Sequence, residues 1–249
     1  MTRIRSLINR LIVYLLGMLI LAFGIALSIQ AGLGLSPISA TPYVLSVATD
    51  LSMGTWTIII YSLFILVQIL LLRKDFKWIN LTQILFSTIF GYFVNFTTTL
   101  LSGLIFPGYI GSLLMLALSI VVIALGISLY VGAGIMNMPA EGTTVAIASK
   151  LKTKDIGQVK VMQDSTLVVI AVILSFILEG RLVSVREGTV ISALLIGTTV
   201  KAMSKFLQPI LDRLLKNPEA PPDIAPEAPQ NQDPDSPSEA IAGSDEVVK

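Results

Sequence analysis

Six stretches of this 249-residue chain are apolar for long enough to cross a bilayer: 11–29, 55–72, 83–101, 113–131, 161–178 and 190–207. A spanning helix needs about 20 mostly apolar residues to cover roughly 30 Å of hydrocarbon. Inside that layer every backbone N–H and C=O must find a partner within the protein, which leaves helical bundles and closed barrels as the only solutions. Continuous apolar runs of this length select helices. The expected fold class is therefore all-α, a polytopic membrane protein of six transmembrane helices, with the lipid bilayer as its first partner.

Charge patterning supports this reading and orients it. Only 13% of the residues are charged, about half the share usual in soluble domains. Lys and Arg cluster at the N-terminus (Arg3, Arg5, Arg10), in the second connection (Arg73, Lys74, Lys77), in the fourth (Lys150, Lys152, Lys154, Lys160) and at the exit of the last span (Lys205, Arg213, Lys216). The first and third connections have none, and Glu179 and Glu187 offset Arg181 and Arg186 in the fifth. By the positive-inside rule both termini are expected on the cytoplasmic side of the membrane. Arg3, Arg5 and Arg10 ahead of an apolar run also fit a signal peptide, but a run of about 19 residues is long for that role.

The expected organisation is a basic N-terminus (1–10), a first membrane unit (11–105), a second (106–216) and a tail (217–249). The tail holds eight acids, one Lys and seven of the twelve prolines. A segment so poor in apolar residues is expected to stay disordered. A homodimer, or a protein partner that binds through this tail, is a candidate.

Cysteine and histidine are both absent, which excludes disulfides, thiolate or imidazole metal sites and Ser-His-Asp catalysis. No phosphate-binding Gly-Lys-Ser/Thr loop is present, and no basic-aromatic surface points to nucleic acid. No metal, cofactor or enzymatic activity is expected.

The chain resembles itself at an offset of about 102. Gly24-Ile25-Ala26-Leu27 aligns with Gly126-Ile127-Ser128-Leu129, Ala31-Gly32-Leu33-Gly34 with Ala133-Gly134-Ile135-Met136, Pro37 with Pro139 and Thr41 with Thr143. With small insertions Gly54 aligns with Gly157, Gly91 with Gly197 and Asn95 with Lys201. Three spans per half force the second half to start on the opposite side of the membrane, giving an inverted repeat.

Each first span ends in a helix break, at Gly32, Gly34 and Pro37 in one half and at Gly132, Gly134 and Pro139 in the other. Glycine permits the turn, and proline starts the next helix. The segments that follow, 36–48 and 139–150, are too short to span. They are read either as re-entrant half-helices, whose N-termini point into the bilayer, or as short interfacial helices. Paired interrupted segments are a pointer to a transport site, so Ser36, Ser39, Thr41, Asn137, Glu141 and Thr143 are the candidate solute contacts.

Charges at membrane depth are costly and need an account. Glu141, Asp164 and Lys201 are candidates for ion or proton coupling. The plainer alternatives are a helix-end acid for Glu141, a Lys160–Asp164 surface pair, and a Lys201 that snorkels or pairs with an acid in the bundle. Gln30, Gln83, Asn95 and Asn137 suit hydrogen bonding between helices. Trp56, Trp78 and Tyr109 suit interface anchoring.

At Ala31-Gly32-Leu33-Gly34…Pro37 and Gly132-Ala133-Gly134…Pro139-Ala140-Glu141-Gly142-Thr143 the chain resembles the YczE/YyaS/YitT group of bacterial membrane proteins, the YczE-like branch above all, over about residues 8–210. The resemblance implies a multi-spanning inner-membrane protein without catalytic residues. Because one member of the group is linked to production of nonribosomal lipopeptides or polyketides, it also implies a rival to transport, an accessory or scaffold role. The expected function from the residues is a secondary transporter of a small solute, anionic or proton-coupled, in which one half rocks against the other. A membrane-embedded enzyme ranks behind both.

Overall fold

A computed structural model describes residues 2–104, 107–153 and 155–215; the tail assigned to 217–249 lies outside the described residues. The described residues form eight α-helices: α1 (Thr2–Ala31), α2 (Pro37–Ala48), α3 (Met53–Leu72), α4 (Thr82–Leu100), α5 (Gly108–Gly132), α6 (Pro139–Leu151), α7 (Ile156–Glu179) and α8 (Glu187–Leu215). All but α2 and α6 are long and apolar enough to cross a membrane. The protein is an all-α, multi-pass membrane protein. Helix ends fall within a few residues of expectation except at the extremities. α1 begins at Thr2 and α8 continues to Leu215, because charged residues at a membrane surface end the apolar run without ending the helix.

The first break uses two left-handed glycines, Gly32 (φ 66°) and Gly34 (φ 102°). The second uses one, Gly134 (φ 63°), with Met136 standing where the first half has Gly34. Gly132, expected to belong to the second break, instead closes α5, and its lack of a side chain admits Leu211 of α8. Pro37 and Pro139 each occupy the first turn of the helix that follows, where a missing N–H costs nothing.

Packing sorts the helices into two groups that cut across the two sequence halves. In one, α1 lies along α5, flanked by α4 on α1 and α8 on α5. Glycines make the central crossing: a Cβ on Gly17 or Gly24 would strike the α5 backbone, and one on Gly126 would strike α1. Small residues at such crossings let backbones approach closely, the main source of helix association in lipid. In the other group α2 packs on α3 and α7, and α6 packs on the same two helices. Both interrupted helices are thus held by the third helix of each half.

The two ends of the bundle are identified by hydrogen bonds. At one end Ser6 Oγ donates to the Leu215 carbonyl (3.1 Å) and Thr82 Oγ1 meets Met136 Sδ (3.3 Å). This end also carries the basic connections and is called the basic end. At the opposite end the α7–α8 loop folds over the first helix break. Leu35 N donates to Ser184 O (3.0 Å), Gly188 N to Leu33 O (2.7 Å) and Arg186 Nη1 to Gly32 O (3.0 Å).

Candidate functional site

Glu141 lies in the first turn of α6, outside the six spans. The turn is buried: Pro139 and Ala140 are enclosed, as are Thr143 and Thr144 below them. Side chains from neighbouring helices clamp it. Gln68 Nε2 of α3 donates to the Pro139 carbonyl (3.0 Å) and to Gln83 Oε1 of α4 (3.2 Å). Gln163 Nε2 of α7 donates to the Ala140 carbonyl (3.1 Å), and its Oε1 accepts from Thr144 Oγ1 (2.9 Å). Thr143 Oγ1 donates to the Phe64 carbonyl of α3 (3.2 Å). Phe64 is eight residues from the end of α3 at Leu72, or about 12 Å along the helix axis. Pro139 is met by Gln68, nearer the end of α3, and Thr143 by Phe64, further in, so the first turn of α6 lies inside the ends of the surrounding helices.

The Glu141 carboxyl faces aromatic rings. Tyr130 of α5 donates its hydroxyl to Oε1 (3.1 Å). Oε2 is shut from solvent and has no protein partner; the same is true of the hydroxyl of Tyr14 on α1, a residue with no exposed surface. The Tyr14 ring stands edge-on to Tyr130 (centroids 5.9 Å) and to Phe86 of α4 (4.9 Å). Tyr61 of α3, stacked on Phe90, completes the same buried cluster. Burial raises the carboxyl above its usual range, and the nearby Lys160 ammonium works against that shift. Desolvation penalises the charged form, so this arrangement is suited to taking up and releasing a proton.

The six candidate solute contacts divide into two sets. Glu141 and Thr143 belong to the buried turn of α6, with Asn137 in the segment leading into it. Ser36, Ser39 and Thr41 are at the start of α2, where Ser36 Oγ donates to Ser39 Oγ (3.2 Å) and Thr41 Oγ1 is buried without a protein partner. Asp164 pairs with Lys160 one turn away (2.7 Å). Lys201 is exposed on α8 and, among the described residues, forms no salt bridge with Glu141 or Asp164, since α8 stands on α5 while both acids belong to α6 and α7.

Sequence reasoning passed over the three tyrosines and Gln68. A tyrosine or glutamine inside an apolar span needs a polar partner, and that requirement was the available signal.

The helix pairs that follow the breaks are built differently in the two halves. Along α3–α4, Gly54 and Gly91 touch backbone to backbone, and Gly54 N donates to Asn95 Oδ1 (2.8 Å). Along α7–α8, a Cβ on Gly197 would meet nothing within 4 Å, and one on Gly157 only Asp155 Oδ1.

The Bacillus subtilis (strain 168) protein described as uncharacterized membrane protein YczE is 33% identical over 147 residues, 59% of this chain and 66% of YczE, just under two thirds of its length. The uncharacterized protein YyaS of the same organism is 27% identical over 204 residues, 80% of this chain and 92% of YyaS. No solved structure matches. The model of a family of unknown function, DUF6198, matches residues 8–205, from α1 to within α8, and the chain belongs to that family.

Proposed function

We propose that the protein is a secondary transporter of a small solute, coupled to protons through Glu141. The observation that carries the reading is the buried carboxyl in the first turn of α6, with Oε2 and the Tyr14 hydroxyl both lacking a protein partner. Intramembrane carboxyls of this kind serve as proton relays in transporters, and broken helices at corresponding positions of two halves form their binding sites.

In this proposal the two halves are inverted repeats. The paired packing supports it, since α2 on α7 answers α6 on α3, and α1 on α4 answers α5 on α8. The half-helices are re-entrant, which the depth of Thr143 along α3 supports. Both termini face the cytoplasm of a bacterium, as the basic connections require, which makes the basic end the cytoplasmic one. Ser36, Ser39 and Thr41 serve the solute from α2, and Asn137 and Thr143 from α6. When Glu141 is protonated its charge no longer opposes burial; when it faces water it releases the proton.

The test is a pH step applied to proteoliposomes on a solid-supported membrane, with no solute present. Proton binding inside the membrane field displaces charge, so the wild type gives a transient current that Glu141→Gln abolishes. Equal transients in both, or none in either, would defeat the coupling and favour the accessory role that the family resemblance implies.

A further inference from the structure

The helices can be grouped as α1–α4–α5–α8 and α2–α3–α6–α7, each group drawn from both halves of the chain, with α4 packed on α3 as well as on α1. They meet along α3–α4, where Gly54 and Gly91 leave no space between the backbones and Ile58 lies over Gly91. This clasp joins the start of α3 to the later part of α4, so it shuts the end opposite the basic one. The hydrogen bonds of the α7–α8 loop to the first break, that from Arg186 to Gly32 among them, lie at that same end.

The equivalent clasp at the basic end would join Gly157 of α7 to Gly197 of α8, with Val161 where Ile58 is and Lys201 where Asn95 is. Here it is apart. α8 follows α5 through Ser204 Oγ–Ser128 Oγ (3.1 Å) and Leu211 on Gly132, while α7 follows α2 and α6. Lys201 stands exposed in the middle of α8, a costly position against lipid but a suitable one beside a water-filled crevice.

We infer that α7–α8 is the gate of the basic end, and that in a second state α7 closes on α8 with Gly157 and Gly197 in the contact that Gly54 and Gly91 make here. The two mixed bodies move against each other, in place of one sequence half rocking on the other. Gln163 ties α6 to α7, while Tyr130 and Tyr14 belong to the other body. The Tyr130–Glu141 bond therefore straddles the moving boundary, and closure of the gate displaces the carboxyl from Tyr130 and Tyr14. This inference rests on the transport reading for its purpose and on the packing for its geometry.

The chain has no cysteine, so engineered thiols report alone. Two pairs are placed by the α3–α4 contacts: Val161→Cys with Gly197→Cys, and Gly157→Cys with Lys201→Cys. Cβ atoms roughly 4 Å apart are needed for a disulfide, a separation that the closed gate provides. In native membranes treated with copper phenanthroline, at least one pair should lose its free thiols to a disulfide within a single chain, mapped by peptide mass. Both pairs must also label with N-ethylmaleimide in the absence of oxidant, which certifies folded, reactive protein. Labelling without an intrachain disulfide in either pair overturns the gate. So does a disulfide between two chains, which would make the α8 face a contact with a second copy. The crosslink reads motion and the pH-step current reads proton binding, so either proposal can fail while the other stands.

Discussion

The α3–α4 and α7–α8 pairs carry the same glycines in the same order and are used in opposite ways. In the first, Gly54 and Gly91 bring two backbones together and Asn95 stitches them with a hydrogen bond to Gly54 N. In the second, Gly197 faces open space, Gly157 meets only Asp155 beside it in the chain, and Asn95 is replaced by Lys201, whose charge favours a wet surface. A shared motif thus specifies what a contact can be, while the surroundings decide whether it is made. An asymmetry of this kind between matched elements is what a protein alternating between two states would display in either one.

The comparison breaks most visibly at the glycines. Gly54→Leu drives a side chain into the α4 backbone, where no rotamer can relieve it; overpacking of this sort costs about 1–3 kcal/mol and sometimes more. The expected result is loss of the monodisperse peak in a heated size-exclusion assay. Gly197→Leu, with open space around it, should melt within about 0.5 kcal/mol of wild type, the ordinary range for surface changes. Equal damage from both would mean that the second clasp is already closed.

A smaller effect is expected from pH. The carboxyl of Glu141 is raised by burial, so the folded protein holds its proton more tightly than the unfolded chain does. Stability from that source is complete below the ordinary carboxylate range and is lost as pH rises through the raised value. Lys160 and Asp164 of α7, Tyr130 of α5, Tyr14 of α1 and Tyr61 of α3 surround it. The melting temperature of wild type should therefore fall with rising pH relative to Glu141→Gln, whose own curve lacks this step. Parallel curves would show a carboxyl in contact with water.

The stitch at Asn95 contributes less. Asn95→Ala removes a hydrogen bond between helices, worth about 0.6 kcal/mol on average in lipid, and should lower the melting temperature slightly. Lys201→Ala at the matching position should leave it unchanged. Arg186→Ala is expected to have the least effect on stability, since its guanidinium is a solvent-exposed donor to Gly32 O, and its interest lies in whether it loosens the loop over the first break. A melting shift larger than that of Asn95→Ala would move the main closure of that end from the helix clasp to the loop.

Much of the architecture was legible because lipid imposes simple rules. Length and polarity marked the six spans, and glycine and proline marked both breaks. Ser36-Pro37 was readable as the start of α2, with Ser36 at the cap position, although its hydroxyl bonds to Ser39 Oγ and to no backbone N–H of the helix. Glu141 stood out as an acid in an apolar setting. Gly132 closes α5 immediately before the turn and admits Leu211, a role that in one dimension looks the same as making the turn. The aromatic surroundings of Glu141 were not legible either, since Tyr14, Tyr61 and Tyr130 come from three separate helices.

What the amino-acid sequence determined by itself was the class of solvent, the number of crossings and the places where helices stop, all set by the local cost of burying polar groups or bending the backbone. Tertiary structure alone decided the partners: that α2 and α6 are gripped by α3 and α7, that Tyr130 meets Glu141, and that one glycine pair is joined while its counterpart is apart. Those outcomes depend on the relative placement of helices that are all apolar on most of their surface. In lipid no hydrophobic gradient distinguishes one apolar face from another, and only close packing and a few hydrogen bonds between distant residues select the arrangement.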